Sequence, residues 1–144
     1  MTLETTSRFI LREIFKVKKK ETVLIITDRK VKKIAESLEK ESCSIAENTY
    51  LIEMRPAKVN GEEPPKLVAQ YMKKADVIIA ATSKSISHTK ARIAAVKAGA
   101  RMASMPGIKE ETFNRAIKTD YKDMKRISLK LKKILDKTSD IKIT

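Results

Sequence analysis

A chain of 144 residues with 42% hydrophobic content has room for a core and is too apolar for a disordered segment. It carries no apolar run of about 18 residues, which excludes a membrane-spanning helix of the usual kind, and its single cysteine, Cys43, excludes an internal disulfide. The formal net charge of +14 raises nucleic acid as a partner, but 4% aromatic content leaves no stacking platform.

The basic excess sits at the two ends. Residues 1–33 hold ten Lys/Arg against four acids, residues 34–117 thirteen against ten, and residues 118–144 nine against four. Such charges suit the solvated faces of helices and the connector Lys18-Lys19-Lys20. The N-terminus lacks the apolar core and small-residue cleavage site of a signal peptide. With one cysteine, expected to be small, buried or inert, this composition predicts a cytoplasmic protein. Abundant Lys with scarce Asn and Gln is a bias of heat-adapted proteins, so a thermophile is the expected source.

The pattern alternates helix and strand along the chain. Phe9, Ile10 and Ile14 predict a helix from Thr6 to about Phe15. TVLIIT, Thr22 to Thr27, is a continuous β-branched run suited to a strand buried on both faces. Val31, Ile34, Ala35 and Leu38 form one stripe of a helix over Lys30 to Glu41. Asn48 to Met54 is a second strand. A loop from Arg55 to Glu63 is broken by Pro56 and Asn60-Gly61. Pro64-Pro65 opens a helix through Lys74. Asp76 to Ala81 is a third buried strand, and Ser87 to Ala98 an alanine-rich helix with Ser87 as its N-cap and Gly99 as a left-handed cap. Ala100 to Met105 is a fourth strand. Glu110 to Ile117 is a short helix. Asp120 to Leu135 is a longer one, with Tyr121, Met124, Ile127, Leu131, Ile134 and Leu135 as its apolar stripe.

Strands separated by helices imply right-handed crossovers. The expected fold is α/β, a Rossmann-like or flavodoxin-like three-layer arrangement of about four parallel strands in the order 2-1-3-4, with helices on both faces. Residues 1–138 read as a single domain and residues 139–144 as the start of a following strand or linker, truncated. Ligands of open α/β sheets bind at the carboxyl ends of strands beside the switch point. There the turn Asp28-Arg29-Lys30 meets the loop Thr82 to Thr89. The first turn holds no glycine, so neither a dinucleotide fingerprint nor a phosphate loop is present.

The second loop is the candidate ligand site. Thr82, Ser83, Ser85, Ser87 and Thr89 supply hydroxyls, and Lys84, Lys90 and Arg92 supply positive charge. With His88 these residues suit a carboxylate or phosphate. The alternative is local capping and turn hydrogen bonding. His88 is the lone histidine, which argues against both a zinc site and a catalytic triad. No catalytic or metal-ligating residue is assigned. Glu62 and Glu63 precede the proline-started helix and are expected to stabilise its N-terminus.

Four segments carry a family resemblance. They are NGEEPP from Asn60, ADVIIA from Ala75, SHTKAR from Ser87 and GARMASMPGI from Gly99, with Asp120-Tyr121 before the last helix. In this order the chain, from about Thr22 to Leu135, resembles the amino-terminal domain of the thermophilic aminopeptidase T/S family of leucyl aminopeptidase-like metallopeptidases. It departs from the family at Lys18-Lys19-Lys20, where relatives often carry Pro-Gly.

The resemblance implies a non-catalytic accessory domain of a metal-dependent aminopeptidase, a hydrolase. A related branch holds iron-dependent ring-cleaving dioxygenases. In that picture the chain is a fragment, inactive alone. Its partner is a missing carboxyl-terminal catalytic domain that holds a divalent metal such as zinc or cobalt, and the domain helps shape a homodimer. No cofactor is expected in the chain itself, and neither nucleic acid nor membrane as partner. The other readings are a standalone module for an anion or small ligand and, behind it, a basic nucleic-acid-binding domain.

Overall fold

In a computed structural model of the protein, residues 2–115 and 121–142 are described. The first helix, α1 (Leu3–Phe9), starts earlier than its apolar spacing predicts. Thr2 and Thr5 form a reciprocal capping box there, which satisfies backbone donors that a helix start leaves open. The helix runs on as a π-helical turn, Ile10–Ile14. It closes with Lys16 in the left-handed region at φ 50° and Val17 N–H bonded back to the Leu11 carbonyl at 2.9 Å.

The remaining elements alternate. They are β1 (Thr22–Asp28), α2 (Lys32–Cys43), β2 (Asn48–Met54), α3 (Lys66–Met72), β3 (Val77–Ala81), α4 (Lys90–Lys97), β4 (Arg101–Ser104), α5 (Glu110–Arg115) and α6 (Tyr121–Leu135). The strands form one parallel sheet in the order β2-β1-β3-β4, the predicted order. β1 pairs with β2 from Thr22 opposite Asn48 to Asp28 opposite Met54. On its other side Val23 to Thr27 lie opposite Val77 to Ala81. The predicted boundaries at Ile117 and Asp120 fall outside the described residues.

The alternation of side chains along β1 and β3 divides the core into two layers. Val23, Ile25, Val77 and Ile79 face Leu11, Ile34, Leu38 and Phe113, from the helices on one side. Leu24, Ile26, Ile78 and Ala80 face Val68, Met72, Ala91 and Ala95, from α3 and α4 on the other. The fold is therefore the three-layer, Rossmann-like α/β arrangement. β1 and β3 are buried along almost their full length, because each has a strand on either side and helices above and below.

Polar contacts lock the outer helices. Arg8 makes two hydrogen bonds to Glu41, of 2.8 and 3.2 Å, and Ser7 and Ser37 hydroxyls meet at 2.9 Å in a buried contact. Cys43, expected to be buried or inert, is exposed. It falls in the last turn of α2, on the face away from Leu38 and Ser42. Ser139 to Lys142 take no strand conformation, and no described helix is long and apolar enough to cross a membrane.

The triple-lysine connector is held at its end by Glu21. Its carboxylate takes two bonds from the Arg101 guanidinium, both 3.0 Å, and one from Lys18 N–H at 2.8 Å. The Arg101 bonds, which outweigh burial, hold Glu21 below the usual carboxylate range. A depressed acid stabilises the fold above its unfolded pKa, and the contribution is lost as pH falls through the folded value. Glu21→Gln is expected to lower stability near neutrality by about 0.5–1 kcal/mol, as partly exposed pairs do. Denaturant titrations of variant and parent should converge as pH drops below the ordinary carboxylate range. A pH-independent difference would show that the pair contributes no charge-dependent stability.

Candidate functional site

The carboxyl ends of β1 and β3 meet at the switch point, and a carboxylate joins them. Asp28 is the last residue of β1 and is fully buried. Its Oδ2 accepts from Ser83 N–H and Ser83 Oγ, both at 2.7 Å. Its Oδ1 accepts from Lys30 N–H at 3.0 Å. A buried carboxylate needs several donors to offset desolvation, and here both flanking loops supply them.

The hydroxyl-rich loop is largely occupied with its own geometry. Thr82 Oγ1 donates to the Lys84 carbonyl at 2.7 Å, and Thr89 Oγ1 to the Ile86 carbonyl at 2.8 Å. Ser85 Oγ accepts from Ser87 N–H at 3.2 Å. Ile86 between them is buried and anchors the loop in the core. α4 begins at Lys90 with Thr89 as its N-cap, accepting from Arg92 N–H. Ser87, predicted as the cap, lies before the helix. Gly99 does close the helix in the left-handed region, at φ 108°.

A second loop is stapled onto the first. Asn60 Oδ1 accepts from Ser85 N–H at 2.9 Å, and Gly61 N–H donates to the Ser85 carbonyl at 2.8 Å. Gly61 has φ 82°, a conformation that glycine adopts freely. The Glu63 carboxylate accepts from Lys90 N–H and, at 3.2 Å, from Ala91 N–H. Glu63 therefore caps α4 rather than the helix that follows it in sequence. Glu62 accepts from Lys58 N–H at 2.6 Å and lies 3.8 Å from Arg55. The anion that the start of α4 attracts is thus supplied from within the chain.

The candidate residues divide accordingly. Thr82, Ser83, Ser85 and Thr89 are bound up in the junction. Lys84, Lys90 and Arg92 have no carboxylate partner for their side-chain charges among the described residues, and His88 is exposed. A neighbouring cleft of about 430 Å³ runs from Arg29 to Ile34 and across to Ile108, Lys109 and Glu110. Composition alone missed it, because Lys109 is remote in sequence from Arg29. Lys32 is tied to Glu53 at 2.8 Å and Lys33 to Glu110 at 3.7 Å, which leaves Arg29, Lys30 and Lys109 as its cations without a carboxylate partner among the described residues. The bond to Glu53 raises the Lys32 pKa above its usual value. Another cavity, of about 310 Å³ between Thr22, Asn48 and Tyr71, lies at the opposite ends of the strands and gathers no charged groups except Lys74. Ser104 Oγ is buried without a hydrogen-bond partner, and nothing in the structure accounts for it.

Among the described residues no three His, Cys, Asp or Glu side chains come together as a metal site would require.

The architecture defines a three-layer, Rossmann-like α/β protein. Its fold is similar to that of 2,5-dihydroxypyridine dioxygenase from Pseudomonas putida KT2440, with a TM-score of 0.57 and 11% sequence identity over 73% of this chain. The chain spans 34% of that enzyme's length. No protein-family model matches the sequence, and no curated protein matches it.

The Asp28 junction has a measurable consequence. Asp28→Ala leaves three donors without their acceptor and is expected to cost about 2–4 kcal/mol, whereas Ser83→Ala, which leaves the backbone bond, should cost about 1 kcal/mol. Thermal unfolding of the two variants distinguishes them. Equal, small losses would mean that water replaces the junction.

Proposed function

We propose that the chain is an accessory domain of a larger metal-dependent, aminopeptidase-like protein and does not itself carry the chemistry. The observation that carries this reading is the internal use of the switch-point polar groups. Asp28, Glu63 and the loop hydroxyls hold two loops rigid, which suits a platform framing a site better than a reacting centre. The NGEEPP, SHTKAR and GARMASMPGI segments support the family. The folding likeness, to about one third of a longer dioxygenase, is compatible with a domain shared between a peptidase branch and a dioxygenase branch. The parent would be a hydrolase that holds its zinc, cobalt or similar ion outside these residues, with this domain contributing to its dimer in a cytoplasmic, heat-adapted setting.

The test compares the 144-residue chain with the native polypeptide purified from its source. Leucine p-nitroanilide and short peptides are offered with and without divalent metal. The native protein is expected to release N-terminal residues only with metal, and the 144-residue chain not at all. Release by the short chain, or none by the native protein under any metal, would remove this reading.

A second reading has one specific support, the cations Arg29, Lys30 and Lys109 around the cleft at the start of α2. It makes the chain a binding module for a small phosphate or carboxylate. Titration with inorganic phosphate should then show affinity lost in Arg29→Ala with Lys30→Ala, or, for a site at the other loop, in Lys84→Ala with Arg92→Ala. Unchanged heats in both double variants would exclude it.

A further inference from the structure

The sequence pattern leads one to expect the stripe of α6 to be covered. It is not. Met124, Ile127, Leu131, Ile134 and Leu135 are all exposed, Leu131 at 54% and Ile134 at 63%. Phe9 and Tyr121 meet at 5.2 Å, which places the start of α6 beside α1, but the stripe beyond it lies open. An exposed aliphatic row of this length is costly in water and marks a surface that something occupies.

The spacing and charge of α6 describe the occupant. Met124, Ile127, Leu131 and Ile134 recur at steps of three, four and three, the seam of a helix that packs against another helix. Residues 121–137 hold seven Lys/Arg against two Asp. At 3.6 residues per turn, Lys130 and Lys137 follow one edge of the seam, Ser128 and Leu135 follow the other, and Lys125 and Lys132 lie further round beyond them. Arg126 and Lys132 bond to Asp123 and Asp136 within the helix. Lys125, Lys130, Lys133 and Lys137 have no carboxylate partner among the described residues.

We propose that α6 docks against a partner protein whose apolar groove or helix is flanked by Asp and Glu carboxylates. Opposite charges beside a seam select partner and orientation. A second copy would bring lysine-flanked edges together and is disfavoured by like charge. A lipid surface is met by Trp, Phe or Leu on the apolar face; of these the row has only Leu, and without an aromatic anchor a membrane is the less favoured occupant. The accessory-domain reading supplies a natural place for such a partner within the parent assembly. The docking chemistry is nonetheless tested without any peptidase assay, so either can fail alone.

The probe is a synthetic helical peptide with Ile and Leu at seam positions and Glu along both flanks, alongside a counterpart with Lys flanks. The intact chain is expected to bind the Glu-flanked peptide at least about tenfold more tightly than the Lys-flanked one, and more weakly as salt rises. Leu131→Asp should abolish binding with thermal unfolding unchanged, because Leu131 is exposed. Lys130→Glu with Lys137→Glu should shift preference toward the Lys-flanked peptide. Absent binding, or equal binding of both peptides, overturns the proposal. So does self-association that disperses in Leu131→Asp, which would assign the face to a second copy. Partition onto phosphatidylglycerol vesicles without peptide binding also overturns it and assigns the face to a membrane.

Discussion

The rest of the switch point depends on the buried carboxylate of Asp28. Parallel strands end side by side, and their following loops must diverge without leaving backbone donors unpaired in the interior. Asp28 satisfies donors from both loops at once, two from Ser83 and one from Lys30. It thereby ties the β1 turn to the β3 loop where an open α/β sheet ordinarily admits ligand. In so buried a place its oxygens are satisfied by three hydrogen bonds.

Glu63 acts in a similar way at the start of α4. Backbone N–H groups at a helix start attract an anion, and here the anion is a side chain from the loop after β2. Asn60 and Gly61 add bonds to Ser85, so the two loops are joined as one unit. Lys84, Lys90 and Arg92 nearby have no carboxylate partner for their side chains among the described residues.

The apolar surfaces point outward as well. α4 is alanine-rich, with Ala91 and Ala95 buried against the sheet while Ile93 and Val96 remain exposed. α6 exposes its stripe from Met124 to Leu135. Both helices have a hydrophobic face beyond what the core uses, and in α6 Lys130 and Lys137, without a carboxylate partner among the described residues, border that face. Charge and apolarity together give this end of the chain a directional surface, which the sheet core does not require.

Much of the fold was legible because burial on both faces leaves a plain record. TVLIIT and DVIIAA are continuous apolar runs, and only a central strand between two helix layers needs that pattern. The intervening helices then impose right-handed crossovers, and the order 2-1-3-4 is one of the arrangements these allow. The amphipathic stripes of α2 and α6 were equally readable from spacing. The candidate loop was legible as a place, since it follows the third strand, but not as a geometry. Ser87 and Thr89 are both competent caps, and the start of α4 is set at Thr89 partly by Glu63, far away in sequence.

The sequence by itself determined the elements, their order and the amphipathic character of α6, because these follow from local periodicity and chain connectivity. Tertiary structure alone decided that Asp28 and Glu63 are internal acceptors, that Arg29 and Lys109 share a cleft, and that the stripe of α6 stays uncovered. Each of these depends on which distant segments meet, and hydrogen-bond distance and burial are properties of that meeting rather than of any residue alone.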